Sequence, residues 1–139
     1  MATVSVRYIV NDVDAAIAFY CGSLGFSEQM RPAPPFAMLT SGDLRLVLSA
    51  PAGPAGGGSG GGGSPMPDGT RQEPGGWNRF MIEVADLERT VERLRQEGVR
   101  FRNDIVIGVG GKQIMAEDPS GNPVELFEPG RPEARLNSG

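Results

Sequence analysis

The sequence predicts an α+β fold of two pseudo-repeated βαβββ modules, whose curved mixed sheets surround a cavity and carry the helices on the outside. Three observations predict this fold. A strand, a helix capped by aspartate and ended by glycine, and three further strands occur in the same order twice. A segment rich in Gly, Ser and Pro separates the two series. The length of 139 residues is enough to bury the core of one compact domain.

The first module begins with a strand at residues 4–10, which are rich in Val, Ile and Tyr. Asp12 is placed to cap the helix that follows, because an aspartate there accepts hydrogen bonds from unpaired backbone N–H groups. Apolar residues at helical spacing continue to Gly25, which is predicted to end the helix. Three strands complete the module, at residues 26–31, 36–40 and 44–49.

The second module repeats this order. Residues 77–84 are predicted to form its first strand, Asp86 to cap its helix and Gly98 to end it. Residues 118–122 read Asp-Pro-Ser-Gly-Asn, which is a strong turn signal between the last two strands. The three remaining strands are expected at residues 99–106, 112–117 and 123–128.

The predicted domain organisation follows from these elements. Residues 56–64 are nearly pure Gly and Ser, which is typical of a flexible connector, either a natural inter-module loop or an engineered linker. The end of the connector near Trp77 is expected to lie partly over the cavity as a lid. The organisation is residues 1–50 for the first module, 51–76 for the linker loop, 77–130 for the second module and 131–139 for a C-terminal tail.

Composition excludes several classes of function. The net charge is 13 − 17 = −4 and no basic stripe is present, so nucleic acid is not an expected partner. No signal peptide or membrane-length apolar run is found, so we expect a cytoplasmic protein with no membrane partner. The sequence contains no histidine, which excludes histidine-ligated metal sites and histidine-dependent nucleophilic catalysis.

Two stretches carry a resemblance to a known family. One is Val10-Asn11-Asp12 with residues 16–20 and 24–26, and the other is Asp-Pro-Ser-Gly-Asn-Pro-Val-Glu-Leu-Phe at residues 118–127. On these motifs the chain resembles the vicinal oxygen chelate superfamily, which includes glyoxalase I, bleomycin and fosfomycin resistance proteins and extradiol dioxygenases. The resemblance implies the two-module fold. It leaves the function open, because that fold supports lyases, epimerases, dioxygenases and binding proteins.

The resemblance also locates four positions that hold metal ligands, two His and two Glu, in the metal-dependent members. In this sequence they carry Ser5, Arg79, Glu125 and either Leu46 or Val47. Only Glu125 matches a family ligand, and one carboxylate beside an arginine does not hold a transition metal. The sequence therefore predicts no metal and no cofactor, with a salt bridge or an anion site in their place.

Strand alternation selects the side chains that face the expected cavity. Arg79 is the leading candidate, either as an anion or carbonyl anchor or as the partner of Glu125 or Glu83 in a structural ion pair. Trp77 is expected to stack on a flat ligand or to plug the core, while Arg102 is assigned to a solvated edge. Alternation leaves open whether Lys112 or Gln113 faces the cavity. The candidate ligand-binding residues are Arg79, Arg7, Ser5, Trp77, Asn78, Met81, Phe36, Met38, Gln113 and Phe127, and the candidate catalytic residues are Glu125 and Glu83.

Three functions are compatible with these residues. The first is a metal-independent protein that binds a small molecule in the cavity between the sheets, with Arg79 as its polar anchor. The second is a metal-free isomerase, cyclase or lyase, in which Glu125 or Glu83 is the base and Arg79 stabilises an oxyanion. The third is a degenerate family member that acts through protein contacts. A homodimer is compatible with all three.

Overall fold

Each half of the sequence places a sheet against a helix, as the repeated pattern predicts. The computed structural model describes residues 4–51 and 63–130, so most of the Gly/Ser connector and the C-terminal tail lie outside the described residues. The chain forms two units, one of Met1–Gly75 with Pro119–Asn122 and the other of Gly76–Asp118 with Pro123–Gly139. The α+β fold with two mixed sheets is confirmed.

The first unit contains a four-stranded sheet in the order β1-β4-β3-β2. β1 runs parallel to β4, whereas the β4–β3 and β3–β2 pairs are antiparallel. Its elements are β1 (Ser5–Ile9), α1 (Val13–Ile17) with a π-helical extension (Ala18–Ser23), β2 (Ser27–Ala33), β3 (Phe36–Ser41) and β4 (Leu44–Ser49).

The π-helical extension was not expected from the sequence, which predicts an α-helix up to Gly25. Leu24 N donates instead to Phe19 O at 3.2 Å, five residues back. The wider turn lets two consecutive rings, Phe19 and Tyr20, both reach the core. The Tyr20 ring meets Phe19 and Phe26 edge-on, with centroids 4.9 and 5.6 Å apart.

The second unit contains a five-stranded sheet in the order β5-β9-β8-β6, with β7 also paired to β8. β5 is parallel to β9, and the other pairs are antiparallel. Its elements are β5 (Met81–Glu83), α2 (Leu87–Gln96), β6 (Arg100–Phe101), β7 (Val106–Ile107), β8 (Gly111–Glu117) and β9 (Pro123–Pro129).

Two predicted strands of this unit need correction. The strand expected at residues 77–84 is only three residues long, Met81–Glu83. The strand expected at residues 99–106 is broken into β6 and β7. At the break, Arg102 N still donates to Met115 O, but Met115 N donates to the side-chain oxygen of Asn103 at 2.9 Å. A side chain has thus replaced the backbone acceptor, and the strand bends away there.

Both helices begin as predicted. Asp12 Oδ1 accepts a hydrogen bond from Ala15 N, and Asp86 Oδ1 accepts one from Arg89 N, each at 3.1 Å. Each aspartate therefore satisfies one of the unpaired N–H groups in its first turn. On α2 three buried residues share one stripe and pack toward β9: Leu87, Val91 and Leu94.

The turn at residues 118–122 forms as predicted, and its last four residues belong to the first unit. Asn122 is buried; its Nδ2 donates to Ile9 O, and its Oδ1 accepts from Gly75 N, both at 2.7 Å. Ser120 Oγ accepts a hydrogen bond from Asn11 N at 2.8 Å. These bonds satisfy the carbonyl group of Ile9 at the end of β1, the N–H group of Asn11 just beyond it and the N–H group of Gly75. Among the described residues, no helix is long and apolar enough to span a membrane.

Candidate functional site

The second sheet has one face packed on α2 and one face that α2 does not cover, which we call the non-helical face. Ile82, Leu126 and Ile114 are register neighbours on the helix side, and the last two are fully buried. Side chains alternate along each strand, so the flanking residues lie on the non-helical face. Two rows of register neighbours define that face: Met81, Glu125 and Met115, then Glu83, Phe127 and Gln113.

The predicted separation of side chains on β5 and β9 agrees with this register. Met81 and Glu83 lie on the non-helical face, together with Arg79, which precedes β5 by two residues. Met81 is 39% exposed, and Glu125 and Phe127 are half-buried. The sheet thus presents two carboxylates, a guanidinium, two methionines and one aromatic ring on a single surface.

Arg79 and Glu125 form a direct ion pair on this face. Arg79 Nε and Nη2 donate to the same carboxylate oxygen, Glu125 Oε1, at 3.0 and 2.8 Å. Arg79 Nη1 donates to the carbonyl oxygen of Trp77 at 3.1 Å. The side chain of Arg79 is 30% exposed and that of Glu125 is 13% exposed. The guanidinium is therefore held in one orientation at the border between protein and solvent.

The donors of Arg79 are not exhausted by these contacts. A guanidinium has five N–H groups, and three of them have partners among the described residues. One N–H group on Nη1 and one on Nη2 are left for another acceptor. The N–H groups of a guanidinium are suited to the oxygens of a carboxylate or phosphate. The arrangement can bind an anion or a carbonyl oxygen.

Trp77 links this pair to a second one. Its indole ring lies over the guanidinium of Arg102, with 4.6 Å from Cζ to the ring centroid. Arg102 Nε donates to Glu117 Oε2 at 2.9 Å, and Arg102 Nη1 donates to Gly76 O at 2.7 Å. Trp77 is 68% exposed, which excludes the expectation that it plugs the core.

Arg102 is the residue that sequence reasoning missed. The interpretation as a solvated edge is wrong for it, because its side chain retains only 17% of its exposure and contacts Trp77 and Glu117. A weak signal was present: the strand expected at residues 99–106 pairs with the strand that carries Glu117, so an arginine there can reach a carboxylate. Nothing in the sequence indicated the contact with Trp77.

The choice between Lys112 and Gln113 is now settled. Gln113 is the register neighbour of Phe127 and lies on the non-helical face. Lys112 lies on the other side, where its Nζ donates to Glu88 Oε1 on α2 at 2.7 Å. This hydrogen bond lowers the pKa of Glu88 and raises the pKa of Lys112.

The remaining candidates of the second unit lie around the ion pair. Glu83 neighbours Phe127 in the register, and Asn78 is exposed between Trp77 and Arg79. Glu83 and Glu125 differ in one respect that bears on catalysis. Glu125 Oε1 is already occupied by two hydrogen bonds from Arg79.

Four further candidates belong to the first unit. Arg7, Val47 and Met38 are register neighbours, and this row lies opposite the buried Leu46. Ser5 and Phe36 share the side of the sheet that carries this row, because they alternate with the residues facing α1. Four predicted residues therefore lie together on one face of the first sheet: Ser5, Arg7, Phe36 and Met38.

The register identifies which residue of β4 corresponds to Glu125. Arg7 pairs with Val47 as Met81 pairs with Glu125. The backbone hydrogen bonds just beyond these pairs also correspond, since Val10 N donates to Ser49 O and Val84 N donates to Phe127 O. Val47, and not Leu46, is therefore the equivalent of Glu125. The four positions implied by the resemblance hold a hydroxyl, an isopropyl group, a guanidinium and a carboxylate that this guanidinium already binds. This donor set does not fit a transition metal.

A separate acidic cluster, formed by Asp86, Glu88 and Glu128, lies at the start of α2. Each member already has a structural contact. Asp86 caps the helix, Glu88 pairs with Lys112, and Glu128 Oε1 accepts a hydrogen bond from Leu87 N at 2.8 Å. The cluster is therefore explained by the helix terminus.

Comparison with known proteins agrees with this architecture. The family model of the Glyoxalase/Bleomycin resistance protein/Dioxygenase superfamily matches residues 3–126. No curated protein is similar enough in sequence to match.

Solved structures of the same fold cover nearly the whole chain. Lactoylglutathione lyase from Agrobacterium tumefaciens is 21% identical, with 91% of this chain and 92% of that one covered and a TM-score of 0.67. TnmS3, an antibiotic binding protein from Streptomyces sp. CB03234, is 22% identical, with coverages of 93% and 96% and a TM-score of 0.66. The bleomycin-binding protein of Streptomyces verticillus, solved with copper(II)-bleomycin, is 19% identical, with coverages of 92% and 96% and a TM-score of 0.57.

Proposed function

The chain belongs to the glyoxalase/bleomycin resistance protein/dioxygenase superfamily, and from this premise we propose that it is a metal-independent protein that binds a small organic molecule. The ligand lies on the non-helical face of the second sheet and is anchored by Arg79. The observation that carries the proposal is that Glu125 and Trp77 orient this guanidinium through three of its N–H groups, while the other two have no partner among the described residues.

An oriented arginine is well suited to recognition. Its position is fixed before a ligand arrives, so little side-chain entropy is lost on binding. Glu125 offsets the charge of Arg79, which lets the pair stay partly buried without a ligand. The two remaining N–H groups then favour a ligand with a carboxylate, phosphate or carbonyl oxygen.

The surroundings of the anchor favour an organic ligand over a bare anion. Met81 and Met115 flank Glu125 in the register, and Phe127 follows in the next row. Methionine side chains adapt to irregular apolar shapes, and an aromatic ring supplies a flat contact. A few polar groups among apolar walls are typical of small-molecule sites. One solved structure of the fold is of an antibiotic binding protein and another is of a bleomycin-binding protein, which supports the same class of ligand.

Metal independence is supported by the donor set. Ser5 and Val47 stand at two of the family's ligand positions, and Arg79 at a third places a permanent positive charge beside Glu125. A cation would have to displace that charge from its carboxylate. Stoichiometric zinc, iron, nickel or manganese in the purified protein, measured by elemental analysis, would contradict this part of the proposal.

The enzymatic alternative keeps Glu83 as its better base, because Glu125 is held by Arg79. An enolising base beside an arginine that stabilises the oxyanion is the chemistry such a site would support. Lactoylglutathione lyase shares the fold, which supports this alternative at the level of architecture alone.

Ligand-observed NMR tests the binding proposal. A panel of aromatic and aliphatic carboxylates at millimolar concentration is screened against the full chain, its Arg79→Met variant and its Arg93→Met variant. Arg93 lies on the exposed face of α2 and provides a matched loss of charge. We expect carboxylates to bind the wild type and Arg93→Met but to lose about tenfold in affinity with Arg79→Met. Equal affinity for Arg79→Met would refute Arg79 as the anchor, and no binding by any carboxylate would overturn the proposal in favour of a role through protein contacts.

A further inference from the structure

Trp77 is exposed in a way that core packing does not explain. An indole ring buries more apolar surface than almost any other side chain when it enters a core. Here Trp77 stays 68% exposed, four residues before β5 begins. It is also the single tryptophan of the sequence. Tryptophan is enriched among the residues that contribute most of the binding energy at recognition surfaces.

The orientation of this ring is fixed by Arg102. The guanidinium lies 4.6 Å from the ring centroid and is itself held by Glu117 Oε2 and by the carbonyl oxygen of Gly76. The side chain of Arg102 is only 17% exposed, so the guanidinium is held in a fixed orientation at the protein surface. An arginine stacked on one side of an indole supports the ring as a flat platform.

Both arginines hold the same short segment. Arg79 binds the carbonyl oxygen of Trp77, and Arg102 binds the carbonyl oxygen of Gly76. Gly76 has a φ of 88°, a left-handed conformation that glycine adopts readily. The backbone that carries the indole is thus fixed at two consecutive carbonyl groups. Arg79 Nη1 contacts the main chain of Trp77 itself, so the guanidinium and the indole belong to residues two positions apart that this hydrogen bond joins.

We propose that Trp77, supported by Arg102, is a stacking platform for a flat aromatic ring, and that the molecule bound by Arg79 is an aromatic acid or aromatic carbonyl compound. This inference rests on the proposed function, because it names the class of ligand that the same site accepts. The ring of the ligand lies on the indole, and its acidic or carbonyl oxygen accepts the two N–H groups of Arg79. Arg102 is a positioning residue, since it acts through the ring.

The selectivity of such a site is for flatness as well as charge. A saturated ring with the same carboxylate can reach Arg79 but cannot stack closely on the indole. Aromatic pairs gain enough beyond simple burial to change affinity by about tenfold. A ligand with charge but no aromatic ring should therefore bind about tenfold more weakly than its aromatic counterpart.

The test compares naphthalene-2-carboxylate with decahydronaphthalene-2-carboxylate, which has the same charge and a similar size but is not flat. Calorimetry gives the affinity of both for the full chain and its variants. Because Trp77 is the single tryptophan, quenching of protein fluorescence by the naphthalene acid reports contact with this ring directly. The variants are Trp77→Leu, Trp77→Phe, Arg102→Met and Arg79→Met, with Ile107→Ala as a control at an exposed apolar residue of β7.

We expect the naphthalene acid to bind about tenfold more tightly than the saturated acid and to quench the fluorescence. Trp77→Leu should remove this advantage, Trp77→Phe should restore most of it, and Ile107→Ala should change nothing. Arg102→Met should weaken the naphthalene acid about threefold and leave the saturated acid unchanged, because it frees the ring without touching the anchor. Retained binding of the saturated acid by Trp77→Leu shows that its loss of affinity for the naphthalene acid does not come from unfolding.

The outcomes separate this inference from the function on which it rests. If both acids bind equally, Trp77→Leu changes neither and Arg79→Met weakens both, the stacking platform is refuted and the anchor is supported. If the naphthalene acid depends on Trp77 but not on Arg79, the platform is supported and the anchor is refuted. If neither acid binds at millimolar concentration, both proposals fail.

Discussion

Arg79 donates from both Nε and Nη2 to a single oxygen of Glu125, at 3.0 and 2.8 Å. The pair is partly shielded from solvent, so its contribution to stability should exceed that of an exposed pair on a helix. Arg93 and Glu97 on α2 supply the comparison, since they are joined at 3.0 Å with both side chains well exposed.

A double-mutant cycle tests this first prediction. For Arg79→Met and Glu125→Gln we expect a coupling of about 1 kcal/mol in the free energy of unfolding. For Arg93→Met and Glu97→Gln we expect about 0.3–0.5 kcal/mol, the usual range for such helix pairs. Urea denaturation of each single and double variant gives both values. Equal couplings would mean that the partial burial of the first pair adds nothing.

The two faces of β9 give the second prediction. Leu126 is fully buried against α2, whereas its neighbour Phe127 is half-buried on the non-helical face. Leu126→Ala leaves a cavity in the core and should lower the free energy of unfolding by about 3 kcal/mol. Phe127→Ala removes a larger side chain but should cost only about 1 kcal/mol, because that ring is packed on fewer sides. Urea denaturation measures both, and the reverse ranking would contradict the assignment of the faces.

The helix caps give the third prediction. Asp12 and Asp86 make the same hydrogen bond to the third residue of their helices. Asp12→Ala and Asp86→Ala should each lower the free energy of unfolding by about 1 kcal/mol, and the matching substitutions to Asn should restore most of it. Thermal or urea unfolding provides the measurement. If Asn fails to rescue either position, the aspartate acts there through charge and not through its cap.

The pair of Lys112 and Glu88 gives a prediction about pH. The hydrogen bond from Lys112 lowers the pKa of Glu88, so this stabilisation is present above the ordinary value of 4.5 and is lost as the pH falls through the lowered pKa. The same bond raises the pKa of Lys112, so its stabilisation is present below 10.5 and is lost as the pH rises through the raised pKa.

Carboxyl NMR titration measures the acid half of this prediction. In Lys112→Met the pKa of Glu88 should return toward its ordinary value. Asp68 is the internal control, because its pKa is lowered mainly by a hydrogen bond from the backbone of Thr70. A change at Asp68 would indicate a general perturbation, and an unchanged Glu88 would show that the lysine does not hold its carboxylate in solution.

Much of the fold follows from short-range chemistry that the sequence displays. The caps Asp12 and Asp86 and the two-residue alternation of β9 depend on near neighbours, so they could be predicted from the order of residues. The π-helical extension could not be predicted in this way, because it depends on how Phe19 and Tyr20 pack against the rest of the core. The break between β6 and β7 depends on one side chain, Asn103, that replaces a backbone acceptor.

The candidate site was predictable to the same extent. Arg79 and Glu125 carry opposite charges at positions that the strand pattern places on one face, and their contact follows. The face on which Gln113 lies follows only from the register of β8 against β9. Alternation within one strand does not provide that register. The support of Trp77 by Arg102 joins residues 25 positions apart through a bent strand, and only the folded chain brings them together.

The hydrogen bonds of Asn122 bear on how the protein forms during its synthesis. Ile9 and Gly75 are made first, and the side chain that joins them follows only at residue 122. Until residue 122 has left the ribosome, the carbonyl group of Ile9 and the N–H group of Gly75 must form hydrogen bonds with water instead. The amino-terminal unit can therefore reach its final form only after residue 122 has been made.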